Sequence, residues 1–277
     1  FFLDRLNGEP HALAFAGQST PWPVALTDQS ANPVLNEALH AHADAAQALL
    51  YPVSADLLAT TGRPVDLFGF EPNPARLGAA AAASASVPGI ALAQLGALLD
   101  AASLGYNPAV AKPVAVLGHS QGVLAVHMVQ SIVEAGSIEA ASAQIDEILA
   151  IATLIGVAGT RQARQLGLAA RHGEATPMLS VKDITRAQVD ALIKRVSGAR
   201  GPIAVAVTNS ATHYVLSGYP EDLAAFGVEV AKEHKHQAKL REEKVRGGRV
   251  FDPVLEYRDV TLPLHSPLKA DAVSQAV

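Results

Sequence analysis

The stretch Val114-Ala115-Val116-Leu117-Gly118-His119-Ser120-Gln121-Gly122 limits the possible folds of this chain more than any other. The apolar run up to Leu117 reads as a strand beginning near Pro113, and Gln121 to Ala135 reads as a helix ending at Gly136. The chain must therefore turn from strand to helix within a few residues, with a serine held between two glycines.

Two readings account for that serine. It is an N-capping residue in an ordinary strand-to-helix turn, or its hydroxyl is presented as a nucleophile. A sharp turn of this kind brings backbone segments together, which favours glycine on either side, and it forces the serine into a strained conformation. The hydroxyl then lies at a helix N-terminus, where free N–H groups and the helix dipole favour developing negative charge. The backbone N–H of Gln121 becomes a natural oxyanion donor. The pattern Gly-x-Ser-x-Gly is loose by itself, and its position between strand and helix is what gives it weight.

The rest of the chain supplies the setting. Ala12 to Ala16 reads as a buried strand, Gln18 to Pro23 as a loop, and Pro33 to Leu50 as a helix capped by Asn32. Residues 51–74 read as short helix plus loop, and Val87 to Ser103 as a second long helix. Ser137 is placed to cap a further helix carrying Ile145, Ile148, Leu149, Ala152 and Ile155 on one face. Strands alternating with helices indicate a mainly parallel α/β sheet. Beyond Thr176 the pattern changes: strand Met178–Val181, helix Ile184–Val196, strands Ile203–Val207 and Tyr214–Leu216, helix Glu221–Lys232. This β-α-β-β-α order fits a small ferredoxin-like insert. Lys232 to Arg249 mixes charges of both signs and reads as a solvated face or loop, and Val260 to Leu264 as a strand.

Composition excludes several classes. The 277 residues are 49% apolar and 17% charged with a net charge of −5, a soluble globular balance with no basic surface for nucleic acid. No cysteine is present, so disulfides and thiolate chemistry are excluded; this is compatible with a reducing, cytoplasmic setting. The apolar stretch from Ala79 to Ala102 is interrupted by Ser84, Ser86, Pro88, Gly89 and Asp100, so no membrane span is expected, and no secretory leader is visible. The chain starts without Met and stops in an unfinished helix, which suggests a piece of a longer polypeptide.

A nucleophilic serine needs a base. Of ten histidines, His119 is turned away by the elbow, His127 lies within the following helix, and His234 and His236 sit in the charged stretch. His265 ends an apolar segment inside Pro263-Leu264-His265-Ser266-Pro267, far along the chain from Ser120, and is the candidate.

Phe15-Ala16-Gly17-Gln18, Gly118-His119-Ser120-Gln121-Gly122 and Pro263-Leu264-His265-Ser266-Pro267, in this order, resemble the acyltransferase family typified by malonyl-CoA:ACP transacylase. The stretches Ala204–Ser210 and Val215–Gly218 look like that family's ferredoxin-like subdomain, so the resemblance covers nearly the whole chain. It implies an α/β-hydrolase-like large subdomain (1–175 and 235–277) with a small ferredoxin-like α+β subdomain (176–234). It implies that Ser120 attacks an acyl-CoA thioester with His265 as base, and that the backbone N–H groups of Gln18 and Gln121 hold the oxyanion. The acyl-serine then passes its group to the phosphopantetheine thiol of an acyl carrier protein, with no permanently bound cofactor and no metal.

Departures from the family narrow the substrate. Malonyl-transferring members carry an arginine where this chain reads Thr153-Leu154-Ile155-Gly156-Val157, and the position falls on Ile155; Arg161 and Arg164 lie about two turns further on. Without that guanidinium a malonyl carboxylate would be left unpaired in a closed pocket, while an acetyl group makes no such demand. Gln121 and Val123 stand where malonyl members have Leu and Glu, which is similar to the starter (acetyl) transferase domain of type I fatty acid synthases. Neighbouring synthase domains are then further expected partners. Asn209 and Leu264 are carried as pocket residues, with a turn asparagine between two strands as the plain alternative for Asn209.

Three other readings stand beside this one. One is malonyl transfer by the same machinery. Another is an esterase or thioesterase of the α/β-hydrolase type, for which Asp190, Asp252 or Asp259 satisfies the chain order Ser, Asp, His. The third is a scaffold that keeps the fold without catalysis.

Overall fold

The computed structural model describes residues 6–17, 21–50, 83–168, 175–196, 201–242, 251–258 and 260–269. The segment expected as short helix plus loop, 51–74, lies outside them, as do Gln18 and Asp259. The chain forms two compact units, Phe1–Arg161 and Gln162–Val277.

In the first unit β1 (Ala12–Phe15) pairs parallel with β2 (Ala115–Gly118), placing Phe15 beside Gly118. The strand expected before the Gly-x-Ser-x-Gly motif is present, and its partner is the strand expected at Ala12, but that strand is not buried as expected: its residues alternate between exposed and half-buried. Four helices carry the core: α1 (Trp22–Ser30), α2 (Pro33–Leu50), α3 (Ala83–Ser103) and, after the one-turn α4 (Pro108–Ala111), α5 (Val123–Ala135). Asn32 accepts from the N–H groups of Val34 and Leu35 at 3.1 and 3.4 Å, as its capping role predicted.

Helix α1 replaces part of the loop expected up to Pro23. Two prolines suggested irregular chain, but Pro21 occupies the N-cap and Pro23 the first turn, where a missing N–H costs nothing. Trp22 is buried against Gly89 of α3, where a Cβ would lie 2.5 Å from the indole. That closeness explains a glycine in mid-helix.

Helix α3 is buried almost all round, from Ala83 to Leu98. Its serines, Pro88 and Gly89 do not interrupt it. By length and composition α3 and the later helix α6 (Ser142–Gln165) are long and apolar enough to cross a membrane, contrary to the sequence expectation. The α3 window is largely covered by the protein's own side chains, which is what the central helix of a folded core shows. Ser137 caps a turn, accepting from the N–H of Ala140 at 3.1 Å, and α6 itself begins five residues later.

The second unit is built on a four-stranded antiparallel sheet, β3 (Met178–Lys182), β4 (Ala204–Ser210), β5 (His213–Ser217) and β6 (Val254–Tyr257), in the order β4-β5-β3-β6. With α7 (Arg186–Val196) and α8 (Pro220–Glu242) this gives β-α-β-β-α-β, the full ferredoxin-like order. The closing strand lies past residue 234, so the sheet extends further along the chain than the five-element reading. Leu179, Val181, Tyr214 and Leu216 turn one sheet face onto Val189, Leu192, Leu223, Phe226 and Val230 of the helices. Each large side chain buried there contributes ~2 kcal/mol.

Two expectations are corrected here. Helix α8 does not end at Lys232: the charged stretch is helical through Glu242, because Lys, Glu, Gln, Ala and Leu favour helix without needing a buried face. Its charges pair locally, Lys232 with Glu229 at 2.6 Å and Arg195 of α7 with Glu233 at 2.9 Å. Val260 to Leu264 is not a strand. Val260 and Leu262 are buried, but the backbone is irregular, with the Leu264 N–H bonded two residues back to Leu262.

Candidate active site

Ser120 has φ 54°, a left-handed conformation that a residue with a Cβ adopts only under constraint, at a cost of about 1–3 kcal/mol. Two hydrogen bonds and the start of the next helix frame it. The His119 N–H bonds to the Phe15 carbonyl at 2.9 Å, carrying the β1–β2 ladder one residue past the strand. The Gly122 N–H bonds to the His119 carbonyl at 2.9 Å, closing a 3-10 turn over Ser120–Gly122. Helix α5 then starts at Val123.

The glycines are required by proximity. A Cβ on Gly118 would lie 2.6 Å from the backbone of Gly122 and Val123, and one on Gly122 would collide with the Phe15 carbonyl. Ser120 is not the capping residue: the N-cap of α5 is Gly122 and that of the 3-10 turn is His119. Ser120 is half-buried and His119 is exposed.

Gly17 closes the other side. A Cβ there would lie 2.5 Å from the His119 carbonyl oxygen, 3.0 Å from Ser120 Cβ and 3.2 Å from the Gln121 nitrogen. The loop bearing the Phe15-Ala16-Gly17 motif thus lies directly against the turn. Gln18, the expected second oxyanion donor, is outside the described residues. Two glutamine side chains reach backbone carbonyls nearby: Gln121 Nε2 donates to Val87 at 2.5 Å and Gln94 Nε2 to Ala16 at 2.6 Å. Sequence reasoning missed Gln94; the available signal was an amide among the apolar residues of α3.

Ile155 lies on α6 and is 41% exposed, while its neighbour Gly156 packs against the Ala83 carbonyl and Pro88 of α3. Within this unit, the helix bearing the expected specificity position is therefore locked onto the helix that reaches both walls of the Ser120 turn.

The remaining candidates belong to the second unit. His265 also has a positive φ, 52°, and is exposed at the tip of a turn. The turn is anchored on both sides: Pro263 and Ser266 are buried, Ser266 Oγ accepts from the Leu268 N–H at 3.2 Å, and Gln162 Nε2 donates to the Leu268 carbonyl at 2.5 Å. Leu264 packs onto Met178, Val215 and Val260. Asn209 lies within β4 rather than in the connecting turn, and its amide nitrogen is 3.4 Å from His213 Nε2. His213 is also 3.0 Å from the hydroxyl of the fully buried Ser180. Met178, Ser180, His213 and Val215 alternate with the core residues, so they share the sheet face away from the helices. Two residues singled out separately, Asn209 and Leu264, thus come to one face. Burial, followed by the charges of Lys182 and Arg258, lowers the pKa of His213 below the ordinary histidine value, with Glu256 opposing.

The acids needed by a hydrolase triad are otherwise engaged among the described residues. Asp190 pairs with Arg186 one turn away at 2.9 Å, and Asp252 is exposed 3.5 Å from His234. His234 itself bonds the Phe251 carbonyl at 2.6 Å.

Residues 177–257 match the family described as the fatty acid synthase central AT domain. The whole chain superposes on MCAT from Mycobacterium tuberculosis with a TM-score of 0.58 and 19% identity, covering 97% of this chain and 68% of that one. A malonyl CoA-acyl carrier protein transacylase from Clostridium perfringens gives 0.56 and 17%, covering 97% and 66%. A complex of a malonyl-transacylase with a type II PKS acyl-carrier protein, PlMCAT:AntF, gives 0.57 and 17%, covering 97% and 68%. The chain spans about two thirds of the length of these proteins and shares their fold, with a parallel sheet in one unit and a separate antiparallel sheet in the other.

Proposed function

We propose that the chain is an acyltransferase that carries a short acyl group from coenzyme A, through Ser120, to the phosphopantetheine thiol of an acyl carrier protein in fatty acid synthesis. The single observation that carries this reading is the constrained Ser120 turn, packed against Gly17 and followed by a helix N-terminus. The likeness in fold to carrier-protein transacylases supports it.

In this reading the small subdomain begins at 176 and runs past the expected boundary at 234 to include β6, and the rest of the chain forms the large one. His265 removes the Ser120 proton as the oxygen attacks the thioester carbonyl. The N–H groups of Gln121 and Gln18 hold the oxyanion, which collapses with loss of the coenzyme A thiolate, and His265 returns the proton to it. The carrier thiol reverses the sequence: it gives its proton to His265, attacks the acyl-serine, and Ser120 leaves with that proton. The two catalytic contributions are proton transfer and oxyanion stabilisation. Asn209 and Leu264 line the acyl pocket.

The preferred acyl group is acetyl, because Ile155 offers no cation to a malonyl carboxylate. Malonyl is the second reading, favoured by the names of the structural neighbours. Intact-protein mass spectrometry after mixing with acetyl-CoA or malonyl-CoA, beside Ser120→Ala, tests both. An acetyl adduct absent from the variant is expected. A malonyl adduct overturns the substrate choice, and no adduct from either in folded protein overturns the reading.

A further inference from the structure

Helix α3 is hydrogen-bonded to both segments beside Ser120, through the Gln121 side chain and through the Ala16 carbonyl. Val87 and Gln94 are about two turns apart, so they lie on one stripe of that helix. At one end of the stripe the Val87 carbonyl accepts from the Gln121 side chain at 2.5 Å; at the other, Gln94 donates to the Ala16 carbonyl at 2.6 Å. The Ala16–Gly17 peptide is planar and trans, so fixing its carbonyl fixes the plane from which Gly17 continues. Gly17 in turn lies so close to the turn that a Cβ on it would stand 3.0 Å from Ser120 Cβ and 3.2 Å from the Gln121 nitrogen. Gln94 is only 8% exposed, and its Oε1 is buried with no partner, as is that of Gln121. A buried amide retained with half its hydrogen-bonding capacity unmet is costly, and a methionine would fill the space without that cost.

We propose that Gln94 is a positioning residue for the oxyanion hole: its amide sets the depth of the Ala16–Gly17 loop against the Ser120–Gln121 backbone, while the Gln121 side chain ties the opposite wall to the same helix. This rests on the acyltransferase reading for its substrate, but the geometry applies to any attack by Ser120 that builds negative charge on oxygen. Donors act only within a few tenths of an ångström of the developing oxyanion, and a displacement of about 1 Å can cost 10²-fold. The work of Gln94 is therefore expected in the transition state and not in substrate binding.

Gln29 supplies the control. It too is a glutamine with a buried, unpartnered Oε1, and it donates to α3 at the Ala93 carbonyl at 2.9 Å, but its bond does not touch the loop. The full chain, Gln94→Met and Gln29→Met are compared by rapid-quench mass spectrometry with acetyl-CoA and malonyl-CoA, and with a fluorophosphonate that labels serine through a charged phosphoryl oxygen. Melting temperatures are read alongside. Gln94→Met is expected to lower the maximal rate of Ser120 modification by about 30- to 100-fold with every reagent that reacts. The acyl-CoA concentration for half-maximal rate should stay within about twofold, and affinity for a trifluoromethyl ketone analogue should fall in parallel with the rate. Gln29→Met is expected to shift only the melting temperature.

Equal rate losses in the two variants, or a Gln94→Met rate within about threefold of the parent in folded protein, overturn the proposal. If Gln94→Met does not fold, Gln94→Asn, which keeps the amide but retracts it by one methylene, is expected to show the same loss, and a parental rate there overturns the proposal. A parent protein that reacts with the fluorophosphonate but with neither coenzyme A ester sinks the acyl-transfer reading alone, and the fluorophosphonate rates then judge Gln94. A parent inert to all three reagents overturns both.

Discussion

Gly17 and Ser120 meet so closely that a Cβ on the glycine would stand 3.0 Å from that of the serine, across more than a hundred residues of chain. The Phe15-Ala16-Gly17 loop is therefore a wall of the Ser120 turn. Gly17→Ala is expected to destabilise the protein by about 1–3 kcal/mol through overpacking and to slow Ser120 acylation. Thermal melting and adduct formation check this, and an alanine variant with parental stability and rate would contradict the packing.

The strain at Ser120 is itself measurable. Glycine enters the φ 54° conformation without steric cost, so Ser120→Gly is expected to raise stability by about 0.5–1 kcal/mol while abolishing the acyl adduct. Chemical denaturation compares it with Ser120→Ala, which removes the hydroxyl and keeps the strain. Equal stabilities would mean that the turn is not strained in solution.

Ile155 is 41% exposed, so an arginine fits there without burying charge. Ile155→Arg is expected to raise the malonyl-to-acetyl acylation ratio at least about tenfold, because a guanidinium pairs with a planar carboxylate in a fork. Competition between the two thioesters, read by mass, decides it. An unchanged ratio in folded protein would show that this position does not face the acyl group.

His213 gives a pH dependence. Burial, then Lys182 and Arg258, favour the neutral ring over the opposing pull of Glu256, and the folded-state pKa lies below the ordinary 6.5. As pH falls through 6.5 the unfolded chain takes up this proton first. Stability contributed by the neutral ring is thus present above 6.5, declines as pH falls toward the folded-state value, and levels off below it. His213→Gln is expected to remove that decline in urea melts between neutral and mildly acidic pH. A slope that survives the substitution belongs to other groups.

Local signals in the chain were enough to place much of this protein. A strand-forming run, two glycines and a helix without early breakers marked the Ser120 turn, since a sharp crossover admits few residue types. The small unit's alternation of strands and helices was equally plain, except where the apolar pattern stopped: the solvated end of α8 carries no periodicity, and β6 is too short and too exposed to announce itself. The prolines around Trp22 misled because the same residue that breaks a helix also starts one.

Sequence by itself presented the candidate residues: a serine that must turn sharply, a histidine framed by prolines, and an isoleucine at the expected specificity position. Only the tertiary structure decided which distant backbones meet. That Gly17 lies on Ser120, that Gln94 reaches Ala16, and that Asn209 and Leu264 share a sheet face depend on contacts between segments far apart in the chain. Periodicity reports what a residue's own element buries, whereas such meetings are set by how elements pack, and no local pattern carries that information.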